Sequence, residues 1–220
     1  MNSIKKPVVI FGNMASASTS KYYLDNDSDH AVIGFTVDKE NIISPKHEGL
    51  DVIPFENILN EYPPEEVSIL FPVGYSTHDP RGTNVFRRNR YECIKSMGYE
   101  FINYISSKAI VASNVVIGDN VLIYEGAIIQ PFVQIGSNVI IRSGSNIGHH
   151  CNIGNHTFIA SEVTIGGKTN LDSEIFIGLN STVSNSVNIA SGSFIAANSF
   201  INQDTQVGSD YRGVPARRYE

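Results

Sequence analysis

Residues 123–153 read IYEGAIIQPFVQIGSNVIIRSGSNIGHHCNI, with an aliphatic side chain at Ile123, Ile129, Ile135, Ile141, Ile147 and Ile153. The spacing extends in both directions without a break in register. Stepping by six from Ile105 to Val207, eighteen consecutive positions are aliphatic. A period of six fits neither the 3.6-residue repeat of a helix nor the alternation of a half-buried strand.

Two further positions of each six-residue unit are regular. Four residues after the aliphatic one the chain places a small or β-branched residue, as at Ala109, Val115, Val121, Ala127, Cys151 and Val163. A closed coil of short strands has room inside for one large side chain and one small neighbour per strand, and only Tyr211 is too large for the small place. One position earlier, ten of the eighteen units carry Asn, Gly or Asp, which accept a left-handed bend cheaply. Three strands and three bends make an eighteen-residue triangular turn, so 105–212 predicts six stacked coils with rungs about 4.8 Å apart. This is a hexapeptide β-helix.

The repeat leaves 1–104 for a separate domain, 105–212 for the coil and 213–220 for a C-terminal tail. The net charge of −6 argues against a phosphate-backbone partner. No stretch of eighteen apolar residues exists, and Met1–Pro7 runs into a strand without an apolar secretory core, so a soluble, cytoplasmic protein with no membrane span is expected. Cys93 and Cys151 read as two free, buried thiols of a reducing compartment.

In the first hundred residues, 7–12, 31–38 and 67–73 read as strands. Residues 15–24 and 83–97 read as helices, the second with its Arg and Asn residues on the exposed side. The alternation predicts a small Rossmann-like α/β domain with a parallel sheet. The turn Gly12-Asn13-Met14 can aim backbone amides and a helix N-terminus at a diphosphate, or it can be a simple strand-to-helix turn. It lacks the further glycines of a dinucleotide fingerprint, which argues against a nicotinamide oxidoreductase. Asp38 ends the second strand where such sheets bind a ribose or base, or it is a solvated loop carboxylate; Gly74 and Tyr75 end the third strand at the same edge.

The coil carries the chain's one pair of adjacent histidines. His149 falls two places after an aliphatic residue and points outward, free either to act as a base or to serve as surface decoration. Eighteen residues on, the next rung places Gly167, followed by Lys168, directly above it, leaving a bare amide and open space. His150 and His156 occupy bends. A metal site of His149, His150 and His156 is disfavoured, because adjacent residues of an extended segment point apart and His156 belongs to another face.

With these residues in hand, the chain resembles the bacterial hexapeptide-repeat acyltransferases, in particular the nucleotide-amino-sugar N-acetyltransferase and sialic acid O-acetyltransferase group. The resemblance spans nearly the whole length. It rests on the strand-Gly opening, the Arg-rich helix leading to Met97-Gly98-Tyr99, Ile147-Gly148-His149-His150, Ile177-Gly178-Leu179-Asn180-Ser181 and Gly213-Val214-Pro215-Ala216-Arg217. It implies a left-handed β-helix and a homotrimer with active sites between subunits. By position it makes His149 the catalytic base with His150 beside it, and assigns Gly167, Lys168, Leu179, Ala197 and Arg217 to acetyl-coenzyme A. It assigns Gly12, Asn13, Met14 and Asp38 to the nucleotide-linked sugar, and Gly74 and Tyr75 join them as candidates because their loop ends at the same edge of the sheet.

Two departures stand out. Some relatives carry a carboxylate where this chain has His150, and the N-terminal loop is poorer in glycine than theirs. The resemblance implies an N-acetyltransferase for a UDP-, dTDP- or GDP-linked amino-deoxy sugar in surface glycan biosynthesis, of the lipopolysaccharide O-antigen kind. Sugar O-acetylation and a non-catalytic trimeric scaffold are the alternatives.

Overall fold

A computed structural model describes residues 6–75 and 80–219. The first five residues of the Met1–Pro7 lead-in and the last residue of the 213–220 segment lie outside the described residues. The chain divides into two compact units, one of 1–73 with 90–104 and one of 74–89 with 105–220.

The first unit is a six-stranded sheet built from β1 (Val8–Phe11), β2 (Val32–Val37), β3 (Lys46–His47), β4 (Leu50–Pro54), β5 (Ser68–Leu70) and β6 (Glu100–Phe101), in the order β3-β4-β2-β1-β5-β6. All its pairs are parallel except β3 with β4. Continuous apolar runs such as Val8-Val9-Ile10-Phe11 suit strands buried on both faces, and all four of these side chains are buried. Helix α1 (Ala15–Asp27) follows β1, α2 (Ile58–Glu61) precedes β5, and α3 (Pro80–Ser96) connects β5 to β6. The three expected strands and two expected helices are present; β3 and β6, two residues each, are too short to announce themselves by periodicity, and β4 is not among the expected strands.

The second unit is the coil. Its two-residue strands stack in parallel on three faces with a repeat of eighteen, as in Leu122–Ile123 beneath Ile140–Ile141 and Asn146–Ile147 beneath Thr164–Ile165. From Ile110–Val111 to Phe200–Ile201 the second residue of each strand packs into the core, whereas Ile105, expected inside, is 40% exposed on the first rung. Ile123, Ile129, Ile141, Ile147, Ile159 and Ile177 form a continuous buried core with the small-place residues Val121, Ala127, Val133 and Cys151. At fourteen consecutive corners, from Asn120 to Asn198, the backbone is left-handed. Phe132, Glu162, Lys168, Glu174 and Ser186 adopt it beside the residues that favour it, because coil closure fixes the corner whatever side chain occupies it.

The repeat does not run in register to residue 212. Asp210–Tyr211 pairs with Phe194–Ile195, sixteen residues earlier rather than eighteen, so the last coil is shorter by two. Val207, expected inside, is 76% exposed, and Tyr211 lies opposite Ile195 and packs against the core. The Asp204 carboxylate accepts hydrogen bonds from the Asn188 backbone and side chain and holds the shortened turn. Nor is the end a tail: Asp210–Gly213 forms an antiparallel hairpin with Ala216–Tyr219.

Candidate active site

The segment after Asn146–Ile147 leaves its strand at Gly148 and turns at His150, whose φ is 59°. The turn throws both imidazoles outward into solvent. They do not point apart, as extended neighbours would: Nδ1 of His149 and Nδ1 of His150 are 3.0 Å apart in a hydrogen bond, because the left-handed corner brings the second ring back edge-on to the first. The rung below grips this pair through three consecutive residues. The His149 N–H donates to Gln130 Oε1 at 3.0 Å and the His150 N–H to Pro131 O at 3.1 Å. The ring of Phe132 stacks on that of His150 at 4.6 Å.

On the rung above, Gly167 lies against the His149 imidazole. A methyl group on Gly167 would sit 2.9 Å from both Nε2 and Cε1. Lys168, at a left-handed corner, donates its backbone N–H to the His149 carbonyl at 2.8 Å, and Ser186 donates to the Gly167 carbonyl at 3.0 Å. The Gly167 N–H makes no hydrogen bond among the described residues. The expected stacking of His149, His150, Gly167 and Lys168 is thus present. A residue with a bare N–H and the Nε2–Cε1 edge of an exposed imidazole are neighbours on successive rungs, a pairing of groups that can accept a proton and stabilise an oxyanion.

Leu179 and Ala197 are both exposed and stack on successive rungs of the neighbouring corner, where the Leu179 carbonyl accepts the Asn198 N–H at 2.8 Å. The coil face carrying Asn146, Thr164 and Thr182 separates this column from that of His149. Arg217 is exposed on the closing hairpin, and its guanidinium donates to the Ala216 carbonyl. Cys151 is buried, its thiol donating to the Gly166 carbonyl at 3.2 Å, and burial pushes its pKa up. The expectation of two buried thiols fails for Cys93: both are free, but Cys93 is exposed, because the helical phase of α3 turns it outward.

In the first unit, the residues assigned to a nucleotide fall into two groups. Gly12, at φ 124°, donates to the Thr36 carbonyl at 2.7 Å, and Asn13 donates its side-chain amide to the Asn41 carbonyl, so the turns after β1 and β2 are tied together. Met14 projects from the start of α1, 66% exposed. Asp38 is not a solvated carboxylate: it forms an ion pair with Arg90, whose guanidinium lies 4.3 Å over the Phe55 ring. Gly74 and Tyr75 belong to the second unit. There Tyr75 stacks on Phe176 at 3.8 Å, beside a ladder of Phe158, Phe176 and Phe194 from successive rungs.

Helix α3 overturns another expectation, since its polar residues are not all outward. Arg87 is fully buried and donates to the carbonyls of His156 at 2.9 Å and Asn138 at 2.8 Å; Asn84 is also buried. His156 is buried in the same network, with Nδ1 bonded to the Asn138 amide at 3.0 Å. It is therefore a structural residue at a different corner from His149. Burial, with the charges of Arg87 and Arg88, holds its pKa down at about 4. Sequence reasoning missed Gln130, Phe132 and Arg87. For Phe132 a signal existed, a bulky aromatic at a bend eighteen residues before His150; nothing in the pattern marked the other two.

The family model for the bacterial transferase hexapeptide (six repeats) matches 114–149 and 132–167. No curated protein matches the chain by sequence. Among solved structures, the acetyltransferase domain of PglB from Neisseria gonorrhoeae superimposes with a TM-score of 0.83 at 19% identity, covering 98% of this chain and 100% of that one. PerB from Caulobacter crescentus, solved with CoA and GDP-perosamine, gives a TM-score of 0.82 at 21% identity, covering 97% of each chain. AntD, an N-acyltransferase from Bacillus cereus solved with dTDP-4-amino-4,6-dideoxyglucose and coenzyme A, gives 0.50 at 22% identity, over 59% of this chain and 88% of that one. At these identities the likeness concerns the fold. Repeat and superposition together give the chain the fold of these structures, a small parallel α/β unit followed by a left-handed β-helix of bacterial transferase hexapeptides.

Proposed function

We propose that the protein is an acetyl-coenzyme A-dependent N-acetyltransferase acting on the amine of a nucleotide-linked amino-deoxy sugar, working as a cytoplasmic homotrimer in surface glycan biosynthesis. The observation that carries this reading is the His149 imidazole lying against Gly167, a residue whose N–H makes no hydrogen bond among the described residues. The amine attacks the thioester carbonyl carbon; as the C–N bond forms, the carbonyl oxygen gains charge, which the Gly167 N–H stabilises. One such donor is worth about 3 kcal/mol in comparable sites. His149 Nε2 takes the amine proton, the tetrahedral centre collapses with cleavage of the C–S bond, and the proton passes to the departing thiolate.

Leu179, Ala197, Lys168 and Arg217 hold the coenzyme in this reading. Gly12, Asn13, Met14 and Asp38 hold the nucleotide, with Gly74 and Tyr75 at the sugar. Cys151 takes no part, since a buried, protonated thiol is neither accessible nor nucleophilic. The solved structures with CoA and amino-sugar nucleotides support the substrate class by analogy of fold.

The test is free-thiol release from acetyl-coenzyme A against UDP-, dTDP- and GDP-linked amino sugars and free sialic acid. Turnover of one amino sugar is expected, reduced about 100-fold to 10,000-fold in His149→Ala. Turnover of sialic acid alone would replace this reading with O-acetylation, and thiol release from no acceptor would leave a binding role.

A further inference from the structure

Phe132 is the least expected residue of the coil. It is an aromatic at a left-handed corner, φ 67°, where a bulky side chain is strained. It recovers little by burial within the chain, since it is 57% exposed. Its backbone N–H is pinned by Asn114 Oδ1 at 3.1 Å from the rung below. Its ring lies on the ring of His150, 4.6 Å between centroids and 28° between planes. Strain kept at an exposed position, with the side chain aimed at a histidine that touches the candidate base, is the kind of outlier from which a function is inferred.

Nδ1 of His149 and Nδ1 of His150 share one hydrogen bond at 3.0 Å, so in the neutral pair one nitrogen carries the proton and the other accepts it. Nε2 and Cε1 form the edge of His149 that faces Gly167, and of the two only Nε2 can take a proton. For Nε2 to accept a proton, His149 must be the Nδ1–H tautomer, and His150 must offer an unprotonated Nδ1. That requires His150 to stay in one ring orientation. An exposed imidazole does not hold a rotamer by itself, and a stacked aromatic face restricts it.

We propose that Phe132 is a positioning residue for a two-histidine catalytic unit: its ring fixes His150, and His150 fixes the Nδ1–H tautomer of His149 so that Nε2 is the proton acceptor. Gln130 and Pro131 complete the platform by holding the backbone N–H groups of His149 and His150. A neutral imidazole thereby does the orienting that a carboxylate does in other base-orienter pairs, and adds no negative charge beside the thioester. This inference rests on the acetyl-transfer reading for its rate consequence but not for its tautomer consequence.

The experiment uses Phe132→Gly and Phe132→Tyr in the full chain. Glycine accepts the left-handed corner without strain, so Phe132→Gly removes the ring while leaving the thermal midpoint equal to or above that of wild type. Expected are a roughly 10-fold to 100-fold fall in kcat with KM for both substrates unchanged, and near wild-type kcat for Phe132→Tyr. Two-bond 1H–15N correlation spectra of the imidazole nitrogens should show His149 as Nδ1–H in wild type and as a tautomer mixture in Phe132→Gly. A wild-type rate together with an unchanged tautomer in Phe132→Gly would overturn the proposal. So would a lowered midpoint or altered molecular mass by light scattering, which would assign Phe132 to packing or to subunit assembly. If wild type turns over no acceptor, the acetyl-transfer reading falls while the tautomer spectra still decide the role of Phe132.

Discussion

Gly167 is a glycine for reasons of space, not of backbone freedom, since its φ lies outside the left-handed range. The atoms nearest to a Cβ there belong to the His149 ring, with Nε2 and Cε1 at 2.9 Å, so a substitution pushes first on the imidazole and not on a backbone rung. Gly167→Ala is therefore expected to lower turnover about 100-fold, the cost of a displacement near 1 Å at a reacting atom, with stability within about 0.5 kcal/mol of wild type. Steady-state kinetics and a thermal melt on one preparation check both halves; wild-type turnover in this variant would mean that the space above His149 is not used. The register of eighteen placed Gly167 over His149 from spacing alone. The bond between His149 and His150 was not legible, because it depends on the left-handed turn at His150 and not on residue order.

At the scale of the element, α3 joins the coil through its buried arginine. Periodicity identifies the helix, yet its arginines read as solvent-facing because isolated charges are almost never buried. The exception is resolved by backbone carbonyls: stacked corners present the oxygens of Asn138 and His156 side by side, and one planar guanidinium spans both. The same burial makes His156 a pH liability. Its pKa near 4 lies below the ordinary value of 6.5, so between these values the unfolded chain takes up a proton that the folded chain refuses. Stability from this residue is complete above pH 6.5 and declines as pH falls towards 4, by about 3 kcal/mol in all. Chemical denaturation at pH 7, 5.5 and 4.5 should show this decline in wild type and a shallower one in His156→Asn. An equal decline in both would place the sensitivity elsewhere.

For the whole molecule, a stack of coils is held by nearest-neighbour contacts, and its final rung would expose an open edge and core. The closing hairpin covers that end: Ala216 joins the buried core, Tyr211 packs against it, and Asp210–Gly213 pairs with both Phe194–Ile195 and Ala216–Tyr219. Removing residues 214–220 is expected to lower the thermal midpoint by several degrees and to increase light scattering on heating, with the far-ultraviolet dichroism of the coil largely kept. An unchanged melt would show that the hairpin is not a cap. The sequence by itself determined the three-faced coil, its inward residues and the column of His149 and Gly167, because a fixed repeat of six converts position directly into direction. Only the tertiary structure decided the two-residue shortening of the last coil, the burial of Arg87 and His156, the Asp38–Arg90 pair and the platform of Gln130, Pro131 and Phe132. Each of those depends on which side chains from distant parts of the chain, or from successive rungs, meet at a corner or a loop, and no period records that.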